Sequence, residues 1–361
     1  MRRSRLTETE ELLQLAALAG VRRDPRVLGA IHLAIATDSG SAIDSISEVL
    51  WRAAQRKGVP YHPYLPGPEA LPPGEIVLGQ VVDGVGAAFA LTPVDLMTHL
   101  LCGGTSGSGK TTFMMFLATQ LIQLGVSVWV FDVDGAYSRL TQLFGPDLLL
   151  GVDVKDVRRN PLQVLPGEGL RDVLVRLEAI SYEQYLRDTS LNMLGEVVAE
   201  ITRDAHLRGQ AYPTLRDYRE VLVRMKPRPG SRPGDARDSL LNRVTGVLEY
   251  LGETYGCVEG WDLAGLMERS LVIQLGGLDR DALSFFVLDL IGAVVAARRR
   301  MADALARPLV MFLDEAHLVV PPRQYGVQDR REPLICTYTR QVRKVGVGLV
   351  LACASPKPHI A

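Results

Sequence analysis

Apolar positions change their spacing twice along the chain. Over residues 1–60 they recur three and four apart, as Leu12, Leu13, Leu15, Leu18 and then Ile43, Ile46, Val49, Leu50, and predict a small helical N-terminal region. Six prolines, Pro60, Pro63, Pro66, Pro68, Pro72 and Pro73, exclude helix and central strand and predict a stiff linker over 61–75. Ile76 to Leu91 alternates weakly around Asp83-Gly84 and predicts a short hairpin. From Met97 onward, short apolar runs alternate with helical stretches. These are Met97–Cys102, a helix from Lys110 to Leu124, Val126–Phe131, Leu271–Leu275, Leu309–Leu313 and Val347–Ala352. Runs apolar on both faces, separated by helices, predict an α/β fold with a mainly parallel sheet covered on both sides. Residues 167–268 break that rhythm. They carry helical signals, such as Thr214-x-x-Asp217 as a cap and the turn-rich Pro227–Gly234 between helices, and predict a helical insertion in an α/β domain spanning 76–361.

Composition narrows the classes. The chain of 361 residues has 47% hydrophobic and 22% charged residues, which excludes a disordered or collagen-like protein. Ser284 to Ala297, with Asp289 inside it, falls short of the roughly 20 apolar residues that span a bilayer. Glu8, Glu10 and Glu11 interrupt the only stretch resembling a secretory leader, so a cytoplasmic location is expected. Cys102, Cys257, Cys336 and Cys353 are scattered without metal-ligand spacing and read as small buried residues, not as a disulfide framework or zinc site. A net charge of −1 means that any nucleic-acid contact must be local. Arg298-Arg299-Arg300 closes a helix starting near Asp279, where positive charge suits the C-terminal dipole.

One segment carries chemistry. Gly104-Thr105-Ser106-Gly107-Ser108-Gly109-Lys110-Thr111 fits G-x-x-x-x-G-K-[ST] directly after an apolar run and directly before an amphipathic helix, the context that motif requires. Glycines let successive backbone N–H groups face a phosphate chain, and the helix N-terminus adds its positive end. Lys110 would reach the β- and γ-phosphates of ATP, Thr111 would ligate Mg²⁺, and Thr112 could touch the α-phosphate. Hydrolysis also needs a carboxylate for the metal and a group that activates water. Leu309–Leu313 followed by Asp314-Glu315 supplies both, with Asp314 holding Mg²⁺ through water and Glu315 as base.

Asp314-Glu315-Ala316-His317 also spells the box of a large nucleic-acid helicase superfamily. That reading fails on spacing, because Lys110 and Asp314 stand 204 positions apart, about twice the separation in those enzymes. Residues 103–360 instead resemble the HerA/FtsK class of hexameric P-loop ATPases, of the additional-strand, catalytic-glutamate division, and most closely its HerA branch. Four stretches carry the resemblance: the phosphate loop; Phe131-Asp132-Val133-Asp134-Gly135-Ala136-Tyr137 with Asn160-Pro161-Leu162; Gln274-Leu275-Gly276-Gly277-Leu278 leading to Asp314–His317; and Thr339-Arg340-Gln341-Val342-Arg343-Lys344-Val345-Gly346. The resemblance implies a hexameric ring of identical subunits that translocates duplex DNA, with ATP bound between neighbours. It implies that Arg340 and Arg343 complete the next subunit's site, that Asp132 lies near the nucleotide, and that a nuclease or other effector is served.

The sequence departs from that family in places. Ala354 stands where a γ-phosphate-sensing Gln is usual, Ala136 replaces an acidic residue, and the N-terminal barrel is replaced by helices and one hairpin. DNA contacts would come from Pro321-Pro322-Arg323-Gln324-Tyr325 and Asp329-Arg330-Arg331, which also read as a solvated mixed-charge loop. Three alternatives stay open: a conjugation or DNA-packaging ATPase, an ATP-binding assembly module that turns over slowly or never, and, more distantly, a small-molecule kinase.

Overall fold

The chain divides into two units, residues 1–92 and 93–361, and the computed structural model describes residues 5–57, 71, 73–80, 88–165, 168–182, 188–301, 307–319 and 334–353. The first unit holds α1 (Arg5–Leu18), α2 (Pro25–Ala36) and α3 (Gly40–Gln55). Pro25 opens α2, and the Asp24 carboxylate caps it by accepting from Arg26 N at 2.9 Å. Leu12, Leu15, Ile31, Leu50 and Trp51 close a small core between these helices. The sequence pattern marks α1 and α3 but not α2. A hairpin follows, β1 (Ile76–Gln80) antiparallel to β2 (Ala88–Leu91), with Ile76 opposite Leu91. The predicted turn residues Asp83-Gly84 and linker prolines 60, 63, 66, 68 and 72 lie outside the described residues.

In the second unit a 3-10 turn, Asp95–Thr98, leads into β3 (Leu100–Gly103), α4 (Lys110–Gln123), β4 (Ser127–Asp132), α5 (Ser138–Phe144) and β5 (Leu149–Asp153). Five helices come next: α6 (Leu170–Tyr182), α7 (Asp188–Leu207), α8 (Leu215–Arg224), α9 (Arg232–Leu251) and the single turn α10 (Leu263–Leu266). The chain then returns through β6 (Ser270–Gln274), α11 (Arg280–Arg298), β7 (Leu309–Leu313), α12 (Leu334–Val342) and β8 (Val347–Cys353). The strands form one sheet in the order β3-β8-β7-β4-β6-β5, and every described pairing is parallel. The α/β expectation therefore holds. Every residue of β7 and β8 is buried, as strands sandwiched between helix layers must be.

One strand start and one whole strand depart from the sequence pattern. The strand expected from Met97 begins at Leu100, because Met97 N–H donates to Val94 and the 3-10 turn comes first. That turn presses on β8: a Cβ at Gly348 would collide with the Leu96 carbonyl, so the position needs glycine. β5 lies outside the apolar runs of the sequence pattern. It is an edge strand with only Leu149 and Val152 buried, so it lacks the continuous apolar run that marked the others. The capping box at Thr214 forms as expected, with Asp217 N–H donating to Thr214 Oγ1 and Thr214 N–H donating to Asp217 Oδ2.

The helices between β5 and β6 are tied to the sheet by a buried ionic cluster. Arg159, which follows β5, donates to Asp289 of α11 at 3.0 Å. Arg176 of α6 donates to Glu168 at 2.7 Å and lies 3.9 Å from Asp289, and Tyr255 Oη donates to Asp289 at 3.3 Å. Asp289 is fully buried, and Arg159 and Arg176 nearly so. The Arg159 charge and burial together pull the Arg176 pKa down from its ordinary value, burial being the larger cause. Removing the single carboxylate facing both guanidiniums leaves two buried cations facing one another. An Asp289→Ala chain is therefore expected to lose about 3–5 kcal/mol of stability in the larger unit, read from its urea midpoint. A midpoint within error of wild type would show that Glu168 and backbone carbonyls satisfy the pair alone.

Candidate nucleotide site

In a parallel sheet the loops after the strands gather at one end, and here those after β3, β4 and β7 carry the chemistry. The loop after β3 turns through Gly107 at φ 77° and Gly109 at φ 91°, conformations that favour glycine. A Cβ at Gly104 would collide with Ser108 Oγ. Thr105, Ser106, Gly107, Ser108 and Gly109 are all exposed, so the loop is open to solvent. Gly109 caps α4, placing Lys110, Thr111 and Thr112 in its first turn, where N–H groups have no partner within the helix. Lys110 is 8% exposed and its Nζ donates to the Thr105 carbonyl at 3.2 Å, across the mouth of its own loop.

The strand-end carboxylate Asp314 reaches this loop. Thr111 Oγ1 donates to Asp314 Oδ2 at 2.8 Å, joining residues 203 apart in the chain. Tyr137 Oη donates to the same oxygen at 3.2 Å, while Asp314 Oδ1 accepts from Glu315 N at 3.0 Å. Tyr137 is fully buried. Burial first, and then the Asp314 charge, push its phenol pKa well above the ordinary value, so it stays protonated and donates.

Asp132 is committed to its own loop. Its two oxygens accept from Ala136 N at 3.0 Å and Tyr137 N at 3.1 Å, and the side chain is 1% exposed. Burial raises its pKa, against those amides, which lower it. Asp132 thus shapes the turn that delivers Tyr137 to Asp314, and the residue touching the site from β4 is Tyr137. The sequence holds a signal for it, the Asp-x-x-Gly-x-Tyr spacing, but phenols are so often core residues that spacing alone does not single it out.

Glu315 sits at φ 55°, ψ 45°, left-handed backbone that L side chains rarely adopt. Its carboxylate lies 3.0 Å from His317 Nδ1 and is partly exposed. Arg280, at the start of α11, clamps the turn below by donating to the carbonyls of His317 at 3.1 Å and Leu318 at 3.2 Å. His317 and Arg280 are further site residues that the sequence reading did not assign.

Arg340 and Arg343 are not in this constellation. Both are exposed, Arg340 in the last turn of α12 and Arg343 in the turn before β8. Arg343 therefore lies at the end of the sheet where β8 begins, whereas the phosphate loop follows the end where it finishes, since Gly104 N–H donates to Cys353 O. Arg298 is 2% exposed and donates to the carbonyls of Arg307, Val345 and Gly346, so it is a tie between α11 and the start of β8. The suggested DNA-contacting loops at 321–325 and 329–331, and Ala354, lie outside the described residues. No group of three or more His, Cys, Asp or Glu residues suited to a metal occurs among the described residues, and none of their helices is long and apolar enough to cross a membrane.

Among solved structures, VirB4 of Thermoanaerobacter pseudethanolicus is similar with a TM-score of 0.56 and 18% identity over 78% of this chain and 77% of its own. The bacterial conjugative coupling protein TrwB is similar with a TM-score of 0.53, 15% identity and 79% and 68% coverage in a structure with ADP and Mg²⁺. In sequence, the DNA double-strand break repair helicase HerA of Sulfolobus acidocaldarius is 23% identical over 293 residues, 79% of this chain and 56% of the relative. The chain thus spans little more than half the length of that relative. The family described as "Helicase HerA, central domain" matches residues 76–294. That span exceeds half of the 361 residues, and the chain belongs to the HerA central-domain family.

Proposed function

We propose that the chain is an ATP-dependent DNA translocase of HerA type, which hydrolyses ATP at the contacts between identical subunits of a ring, a hexamer in the fullest form of the proposal. The observation that carries it is the 2.8 Å hydrogen bond from Thr111 to Asp314, which unites the phosphate loop with the carboxylate strand. Loop amides and Lys110 would bind the polyphosphate, with Gly104 through Thr112 forming the cradle. Thr111 and Asp314 would hold Mg²⁺, which suits their hydroxyl and carboxylate oxygens. When bound, that ion would neutralise charge on the phosphates. Tyr137 fixes the Asp314 carboxylate from below. Glu315 would take the proton of the attacking water, with His317 holding its carboxylate. Arg340 and Arg343 would stabilise the transition-state charge in the neighbouring subunit's site. Similarity to a HerA repair helicase and to a TrwB solved with ADP and Mg²⁺ supports ATP, Mg²⁺ and DNA as ligands. A nuclease or other effector partner belongs to the same proposal.

The test measures phosphate release and solution mass together, with and without ATP and duplex DNA. DNA-stimulated release from an assembly of several subunits is expected. Tight ATP binding without DNA-stimulated release would overturn the translocase in favour of an assembly module.

A further inference from the structure

His99 is one of three non-glycine residues with positive φ among those described, and its φ 72°, ψ 158° lies in a region populated almost only by glycine. Strain of that kind persists only where surrounding contacts over-determine it, and here both ring nitrogens are held. Leu349 N–H of β8 donates to Nδ1 at 3.1 Å, so the proton must reside on Nε2, which donates to the Thr339 carbonyl at 2.6 Å. Burial lowers the imidazole pKa and the Arg343 charge lowers it further, against the Thr339 bond, which favours the neutral donor less than the charged one. The neutral ring that this geometry requires is the form present at pH 7.

The two ends of this contact matter more than its strength. His99 immediately precedes β3, four residues that run straight into the phosphate loop. Thr339 immediately precedes Arg340 on α12, and Arg343 is close enough for its charge to act on the ring. We infer that His99 is a positioning residue that links the strand of one nucleotide site to the arginine helix offered to the next, so that the phosphate loop and the trans-acting arginines of a subunit move as one body. The inference rests on the proposed role of Arg340 and Arg343 between subunits.

Three substitutions separate positioning from mere support. His99→Gly suits the backbone and removes both ring bonds. His99→Asn tolerates positive φ and places an acceptor where Nδ1 was, keeping the bond to β8. His99→Gln places a donor where Nε2 was, keeping the bond to α12. Because a misplacement of about 1 Å can cost on the order of 100-fold, the Gly and Asn chains are expected to lose kcat by that order while fluorescent-nucleotide affinity stays within about threefold. The Gln chain is expected to retain most of the turnover. Equal kcat in all three, or a change in nucleotide affinity with kcat intact, would overturn the inference.

Mixing supplies the second readout. His99→Gly chains keep a working loop and Lys110→Ala chains keep a working arginine helix. A mixture of the two is therefore expected to regain turnover that neither shows alone. An Arg340→Ala/Arg343→Ala chain mixed with Lys110→Ala serves as reference. Rescue of the reference without rescue of His99→Gly overturns the role of His99. Rescue of neither overturns the shared-site reading and this inference with it.

Discussion

A Glu315→Gln chain is expected to bind ATP as tightly as wild type and to hydrolyse it about 10²- to 10⁴-fold more slowly, the range a positioned general base supplies. The amide has the size and shape of the carboxylate but cannot accept a proton at neutral pH. Little else should change, because the contacts that organise the loop bypass this side chain. Asp314 holds Thr111, Tyr137 and the Glu315 backbone N–H, none of which involves the Glu315 carboxylate. The backbone strain at Glu315 is common to both residues. His317 can still donate to the amide oxygen, so the side chain keeps its anchor. Single-turnover phosphate release and a fluorescent-nucleotide titration on the same sample separate chemistry from binding. Normal turnover would remove Glu315 as the base and leave a carboxylate whose role is to hold His317.

Much of this site is legible in the sequence because its parts are local. The loop from Gly104 to Thr111 declares itself through glycines required by positive φ and a lysine fixed in register with them. Asp314-Glu315 declares itself as acids ending a five-residue apolar strand. The sheet is equally readable wherever strands are buried on both faces, as β7 and β8 are, and unreadable at β5, whose edge position halves its apolar signal. What the sequence hides is partnership across distance. Asp132 is expected near the nucleotide, and only the fold shows that its oxygens accept from two backbone amides of its own loop and so set Tyr137 against Asp314. His99 looks like a lone polar residue ahead of a strand, and only the pairing of β3 with β8 brings it to Leu349 and Thr339. Arg298 looks like a helix-end charge, and only the fold shows its guanidinium buried against three carbonyls.

The same topology makes the strongest demand on Arg340 and Arg343. In a parallel sheet a residue that enters a strand and a loop that leaves one are a strand length apart. At about 3.3 Å per residue, seven residues of β8 put about 23 Å between the strand entry that Arg343 precedes and the phosphate loop, and the five residues from His99, which holds Thr339 beside Arg340, to Gly104 put about 16 Å there. An arginine side chain cannot bridge that gap, so these residues cannot complete the site of the chain that carries them. They can complete a neighbour's if the contact is head-to-tail, the arrangement that closes into rings. An Arg340→Ala/Arg343→Ala chain is then expected to keep its nucleotide affinity and lose about 10³- to 10⁵-fold in turnover, the contribution of an arginine supplied in trans. A Lys110→Ala chain is expected to be equally inert for the opposite reason. In an equal mixture, a site works when an intact loop meets an intact arginine helix. Random head-to-tail assembly of two such chains produces that pairing at about a quarter of the interfaces. Mixing two inactive chains should therefore restore turnover towards a quarter of the wild-type rate per subunit, measured as phosphate release against mixing ratio with a maximum near one to one. A flat, inactive series would mean that the arginines take no part in hydrolysis, and the ring of shared sites would have to be given up.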